Sequence, residues 1–234
     1  MYRFRTQPGG ALAPLSVLTI DGPSASGKST IAARLAQAFG GAVLFTGKHY
    51  RAATCALLDT QVDLSDERAT LAAFEAMRPT LDADGILLVN GRRIADSDAE
   101  TQRVEDRVSV VAQHDGVRDR LRELQRGFIR ARASTEHPVV VEGRDAGTAL
   151  APESPARFYL DCSVAERAIR RRTQRHLSED ETQVVAERLA GRDAQDQGHG
   201  RAGPNTPGLI LIVTDGLTQD EVLERIRSLI VSGS

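Results

Sequence analysis

Of the 234 residues only two are cysteine, two are methionine and none is tryptophan, and aromatic side chains make up 4%. Cys55 and Cys162 stand far apart, which excludes a disulfide scaffold, and no Cys/His cluster has zinc spacing. Long apolar runs are missing too. The strongest, Leu209-Ile210-Leu211-Ile212-Val213, is five residues, against the ~20 a membrane-spanning helix needs. Neither sign of charge dominates: 30 Lys and Arg face 32 Asp and Glu, for a net charge of −2. That balance removes the bulk electrostatic case for a nucleic-acid or membrane-surface binder and leaves room only for a local basic pocket. Lysine is the scarcest basic residue, since Lys28 and Lys48 are the only two among those 30. A coding bias towards arginine explains the ratio, and it makes each lysine worth inspecting. Residues 1–13 carry Arg3, Arg5, Pro8 and Gly9-Gly10 but no apolar core, so they are not a secretory signal. They read as a disordered leader, over about 1–15, to a soluble, cytoplasmic protein.

What is present is an alternation of strands and helices. Val17-Leu18-Thr19-Ile20 is a β-rich run, followed by a Gly/Ser/Pro loop and an amphipathic helix from Thr30 to Phe39. Ala42-Val43-Leu44-Phe45 predicts a second strand, with a helix from about Tyr50 to Leu58. The middle differs: a helix from about Ser65 to Met77 and a hairpin around Asn90-Gly91 suggest an insertion over roughly 62–98. Helical patterns follow at about 101–113 and 115–132. Val139-Val140-Val141, Phe158-Tyr159-Leu160 and Leu209–Val213 complete five short apolar strands, with capping-box signatures at Ser163/Glu166, Ser178/Glu181 and Thr218/Glu221. Such an order predicts an α/β fold with a five-stranded parallel sheet, helices on both faces, and ligands at the strand C-terminal ends.

Gly22-Pro23-Ser24-Ala25-Ser26-Gly27-Lys28-Ser29, continuing into Thr30, fits the phosphate-loop pattern and lies where it must, between a strand and a helix. The glycines let the backbone curl so that successive N–H groups point at phosphate oxygens, and the helix N-terminus adds its positive end. Lys28 is placed to reach β- and γ-phosphates, and the Ser29 hydroxyl to help hold Mg²⁺. The bland alternative, a Gly/Ser turn capping a helix, does not require the lysine. An Asn-Lys-x-Asp guanine motif cannot exist here, because neither lysine stands in that context. Small-molecule and nucleotide kinases remain as the main class.

Further motifs carry a resemblance. Ile20-Asp21-Gly22-Pro23 through Lys28, Thr46-Gly47-x-x-Tyr50-Arg51, Asn90-Gly91, Glu142-Gly143-Arg144-Asp145-x-Gly147-Thr148 and Arg192-Asp193-x-x-Asp196 occur in the order seen in bacterial cytidylate kinases. The chain from about residue 16 onward resembles that family of P-loop nucleoside monophosphate kinases. The resemblance implies a three-layer P-loop sandwich over 16–234, with a small inserted monophosphate-binding subdomain and a short lid at about 170–195. It implies ATP and Mg²⁺, small nucleotide substrates, and neither nucleic-acid nor membrane partners; a monomer is expected. The acceptor phosphate falls to Thr46, Tyr50, Arg51 and Arg144, the cytosine to Ser109, Arg118 and Asp145, the ribose to Arg192 and Asp196. Glu142 would hold Mg²⁺ through water. Arg167, Arg170, Arg171, Arg172 and Arg175 form a dense stripe; Arg171 and Arg175, four apart on one helical face, are the candidate lid pair, with Lys28 and Arg144, for the transferring phosphate. Taken singly, Arg51 and Arg144 would pass for solvated surface.

Three positions depart from the family pattern. Phe45 replaces an acidic residue, Lys48 replaces a small one, and His199 stands where a base-contacting arginine is usual, with Arg201 two residues on. All fall on the acceptor side, so Lys48 and His199 join the candidate acceptor residues. Alternatives are a kinase for a modified or different pyrimidine monophosphate and a nucleotide-binding regulator with weak catalysis. His114, His137 and His176 lack carboxylate or Cys neighbours at ligand spacing and read as surface or cap residues.

Overall fold

A computed structural model describes residues 1–5, 12–197 and 201–232. Strands β1 (Tyr2–Arg5) and β2 (Leu12–Pro14) precede β3 (Val17–Asp21), which is buried along its whole length. Helix α1 (Lys28–Phe39), strand β4 (Val43–Phe45) and helix α2 (Thr46–Leu58) follow. Next come α3 (Glu67–Ala76), β5 (Thr80–Leu81), β6 (Leu87–Val89), β7 (Arg92–Arg93) and the short helices α4 (Asp96–Ala99), α5 (Gln102–Glu105) and α6 (Val108–Val111). The chain continues through α7 (Asp115–Arg132), β8 (Val139–Glu142), β9 (Ala156–Asp161), α8 (Val164–Gln174), α9 (Thr182–Gln197), β10 (Ile210–Val213), α10 (Gln219–Arg227) and β11 (Ile230–Ser232).

The chain divides into two compact units, residues 1–43 with 132–234, and residues 44–131. The first is built on the expected five-stranded parallel sheet, in the order β10-β9-β3-β8-β4, with the unit boundary falling inside β4. The central strands β3, β8 and β9 hold near-continuous apolar runs because both faces of a parallel sheet are covered. In parallel register Ile20 lies opposite Glu142 on one side and Phe158 on the other. This places the residues that follow β3 and β8, Gly22 onward and Gly143 onward, at the same end of the sheet.

Residues 2–5 and 12–14 form strands where a disordered leader is expected. β1 pairs antiparallel with β2 and with β11, forming a second small sheet. Phe4 is fully buried edge-on to Phe158, with ring centroids 5.8 Å apart, and Tyr2 packs on Phe39 at 4.8 Å. The signal is a single alternation, Tyr2 and Phe4 inward between Arg3 and Arg5, too short to register as a strand without its distant partner.

The second unit has its own core around Phe74, Leu57, Leu87, Val111, Val117 and Leu121. Its three-stranded antiparallel sheet turns at Asn90 and Gly91, whose φ values of 52° and 73° make the tight hairpin that Asn-Gly favours. The helix expected over 101–113 is broken: α5 and α6 are separate single turns, with Arg107 as the N-cap of the second. Capping boxes stand at Ser178/Glu181 and Thr218/Glu221, while Ser163 accepts only from the Glu166 N–H. Among the described residues no helix is long and apolar enough to cross a membrane.

Candidate active site

The phosphate loop occupies the turn between β3 and α1. Gly22 (φ 145°), Ala25 (φ 63°) and Gly27 (φ 91°) take positive φ, which curls the backbone into a concave row of N–H groups. Gly27 is the N-cap of α1 and offers no side chain to its first turn, so those amides are left for an incoming anion. Ser29 and Thr30 are exposed on that turn, and Ser26 is folded back, its hydroxyl donating to the Pro23 carbonyl at 3.1 Å.

Lys28 is 5% exposed. Its Nζ donates to the Pro23 carbonyl at 2.6 Å and lies 3.6 Å from Glu142 Oε1, at the end of the neighbouring strand. Burial pushes the ammonium down to about 8, opposed by Glu142 and Asp21; Arg144 and Arg192 add to the lowering. Two arginines thus act on Lys28 through their charge, a crowding of cations that would suit a polyanion. Asp21, fully buried one residue before the loop, is raised to about 7 by burial.

Arg144 follows β8 and is held by Asp196 of α9, whose other oxygen accepts from Arg201 Nη1 at 2.5 Å. The Ala202 N–H also donates to the Arg144 carbonyl at 3.2 Å. Arg144, Asp196 and Arg201 therefore form one ion-paired cluster. Arg192 lies one helical turn before Asp196, within the field felt by Lys28. His199 lies outside the described residues.

Of the α8 stripe, Arg167 and Arg170 are joined to the phosphate loop. Arg167, 3% exposed, donates from Nε to the Cys162 carbonyl at 2.9 Å, from Nη1 to the Ser24 carbonyl at 3.2 Å and from Nη2 to Asp193 at 2.5 Å. Arg170 reaches the Ser26 carbonyl at 3.5 Å and the Thr214 carbonyl at 2.8 Å. Arg171 and Arg175 sit in the last turn and at the C-cap of α8, half-buried, Arg171 donating to Gln174 at 3.3 Å.

The smaller unit carries the other candidates. Thr46 is buried at the start of α2, and Lys48, Tyr50 and Arg51 follow on its first turns, Arg51 lying 4.0 Å from Glu105. Lys48 Nζ donates to Asp96 at 2.6 Å and stands 5.6 Å from the Phe45 ring centroid, so two of the family departures touch each other. Arg118 is buried on α7 and Ser109 half-buried on α6. His49, which sequence reading leaves without a role, is 2% exposed and anchors this helix start. Its Nε2 meets the Gly85 carbonyl at 2.8 Å and its Nδ1 meets Gln125 Nε2 at 3.0 Å, an arrangement that fits the neutral ring protonated on Nε2.

Burial pushes His49 down to about 4 from its ordinary 6.5. The unfolded chain takes up this proton first, so stability is level above about pH 6.5 and falls as pH drops toward 4, by about 3 kcal/mol in all. Denaturant titrations at pH 7 and pH 4.5 are expected to show this slope, and His49→Gln, lacking the titrating ring, to flatten it. An equal slope in the variant would assign the acid sensitivity to other groups.

The profile of the family described as cytidylate kinase matches residues 18–232. The chain is 38% identical to a cytidylate kinase of Herpetosiphon aurantiacus over 226 residues, covering 91% of this chain and 93% of that one. It is 37% identical to a cytidylate kinase of Thermus thermophilus, covering 88% and 94%, and 34% identical to one of Caldanaerobacter subterraneus, covering 89% and 92%. With the phosphate loop, its buried lysine and the arginine cluster in place on a five-stranded parallel sheet, a match of that length leaves one assignment: the chain belongs to the cytidylate kinase family.

Proposed function

We propose that the protein transfers the γ-phosphoryl group of ATP to CMP or dCMP, releasing ADP and the cytidine diphosphate. The observation that carries this reading is the buried Lys28, paired with Glu142 within reach of Arg144 and Arg192, in a chain whose family is cytidylate kinase. The acceptor brings its own nucleophile, since a phosphate monoester with a second pKa of about 6 is mostly dianionic at neutral pH. No general base is required. What the protein supplies is charge and orientation: cations that let two anions meet in line and take up the charge of the transferring group.

In the larger unit, the curled loop from Gly22 to Thr30 and Lys28 hold the ATP phosphates, and Arg167 and Arg170 keep the loop in shape through its carbonyls. Arg144 is assigned to the phosphates, Asp145 to the base, and Arg192 and Asp196 to the ribose. Arg171 and Arg175, on the element read as the lid, cover the transferring group and exclude water. In the smaller unit Thr46, Tyr50 and Arg51 are assigned to the acceptor phosphate and Ser109 and Arg118 to the cytosine. The Ser29 hydroxyl and the Glu142 carboxylate, both hard oxygen donors, suit Mg²⁺, which is typically bound by one or two protein oxygens together with substrate phosphates. When bound, Mg²⁺ neutralises charge on the β- and γ-phosphates. The same reading carries a monomeric, cytoplasmic enzyme.

A coupled ADP-release assay over CMP, dCMP, UMP and base-modified CMP tests the assignment. Turnover that depends on CMP or dCMP and is weak with UMP is expected. Equal turnover with UMP would mean a different pyrimidine acceptor, and ADP release indifferent to any acceptor would leave a nucleotide-binding regulator. Lys48 is assigned to the acceptor as well. Its ion pair with Asp96 is half exposed, and such pairs contribute only about 0–1 kcal/mol. Lys48→Ala should therefore leave the thermal midpoint almost unmoved, raise the acceptor KM and spare the ATP KM. An unchanged acceptor KM would restrict Lys48 to tethering α4.

A further inference from the structure

We propose that Asp21 is a positioning residue, whose carboxylate sets the Arg144-Asp145 dipeptide in register with the phosphate loop. The inference rests on the assignment of Arg144 and Asp145 to the acceptor nucleotide given above. Asp21 is the last residue of β3, fully buried, and Gly22 begins the loop immediately after it. Burying a carboxylate is costly unless its oxygens are satisfied. Here each oxygen is spent on one backbone donor, Oδ1 accepting from Ala146 N and Oδ2 from Gly147 N, both at 2.7 Å.

Those two amides open the π-helical turn Ala146–Leu150, directly after the dipeptide. On its other side the Gly143 N–H donates to the Ile20 carbonyl at 3.0 Å. Arg144 and Asp145 are thus bracketed by the last two residues of β3, one acting through its backbone and the other through its side chain. A segment pinned at both ends to the strand that launches the phosphate loop cannot shift independently of that loop.

The packing around the clamp supports the same role. Thr19 and Asp21 are two apart on the strand and face the same side. A Cβ on Gly147 would come within 2.7 Å of Thr19 Oγ1 and 3.1 Å of Asp21 Oδ2, so only bare backbone can lie against the carboxylate. Thr19 Oγ1 is buried and makes no hydrogen bond, so at this spot the hydroxyl contributes by contact. Volume alone would be served by an apolar residue at 21; two aligned acceptors require the carboxylate.

Asp21→Asn tests the proposal, because the amide keeps the shape but turns one acceptor into a donor facing an N–H. Hydrogen exchange at the Ala146 and Gly147 amides is expected to rise by about tenfold, with Gly143 unchanged. With CMP as acceptor, kcat is expected to fall by about 10–100-fold and the CMP KM to rise, while affinity for a non-hydrolysable ATP analogue moves by less than about threefold. Unchanged exchange at the two amides, or an equal loss of ATP-analogue affinity, would overturn the proposal. The exchange arm needs no turnover, so it reports on Asp21 even if the wild-type protein proves inactive on cytidine monophosphates. Should Asp21→Asn fail to fold, Gly147→Ala pries the same clamp from the loop side. Its loss of kcat should be partly restored by adding Thr19→Ala, and absence of any restoration would count against the clamp.

Discussion

Lys28→Met is expected to lower kcat by on the order of 10²–10³-fold, the usual cost of deleting one preorganised donor to a developing charge. The ammonium is held in one place by the Pro23 carbonyl and by Glu142. It therefore needs no reorganisation when the γ-phosphate loosens from the β-phosphate. Arginine is a poor replacement, because a planar fork does not fit where a compact ammonium is enclosed by a turn of backbone. Lys28→Arg should accordingly recover little. Stability is also expected to fall, because removing the ammonium leaves the Glu142 carboxylate buried with less compensation for its charge. Retention of more than about a tenth of wild-type kcat would remove Lys28 from the chemistry.

Gly22→Ala is the second large effect, and it is steric. A Cβ there would lie 2.3 Å from the Leu160 carbonyl oxygen and 3.2 Å from its carbon, backbone atoms of β9 at the centre of the sheet. The neighbour cannot swing aside as a side chain would. The residue also holds φ 145°, which only glycine adopts freely. Overpacking and backbone strain together should cost about 2–5 kcal/mol and displace the loop that must receive phosphate. Gly27→Ala provides the contrast: φ is 91° but nothing lies within 4 Å of the added carbon, so only the strain remains, about 1–2 kcal/mol. Thermal denaturation of the two variants separates the contributions. Equal losses would mean that the contact with Leu160 relaxes without cost.

These effects were unequally visible in the sequence. The phosphate loop was legible because its glycines, lysine and hydroxyl lie within eight consecutive residues, and the five strands because each carries a short, mostly apolar run. The Asn90-Gly91 turn was legible for the same reason, its conformation being decided by two adjacent residues. Arg167 was harder, since one arginine of five in a stripe is distinguished only by which side of α8 meets the rest of the unit. Asp21 belongs to the quoted motif, yet its role depends on amides 125 and 126 residues away, and no local pattern encodes that pairing. The same holds for His49, whose partners Gly85 and Gln125 lie 36 and 76 residues further along the chain. Residues 1–5 carry no decisive local strand signal because one of the three strands of their sheet, β11, lies at the far end of the sequence.

That sheet has a consequence for the order of assembly. β1 hydrogen-bonds to β11 in the register Tyr2 to Ser232, so an early strand waits for one made much later. During synthesis from the N-terminus, Phe4 and Tyr2 are emitted long before the edge that pairs with them exists, and β2 offers them only a short hairpin meanwhile. The large parallel sheet can gather β3, β4, β8 and β9 as they emerge, while the strip formed by β2, β1 and β11 completes only at the end. Closing so long a loop adds little entropy beyond that of a shorter one, since the cost grows only with the logarithm of length. The strip is therefore set apart by its timing: it works as a seam drawn shut over a body that has already taken form.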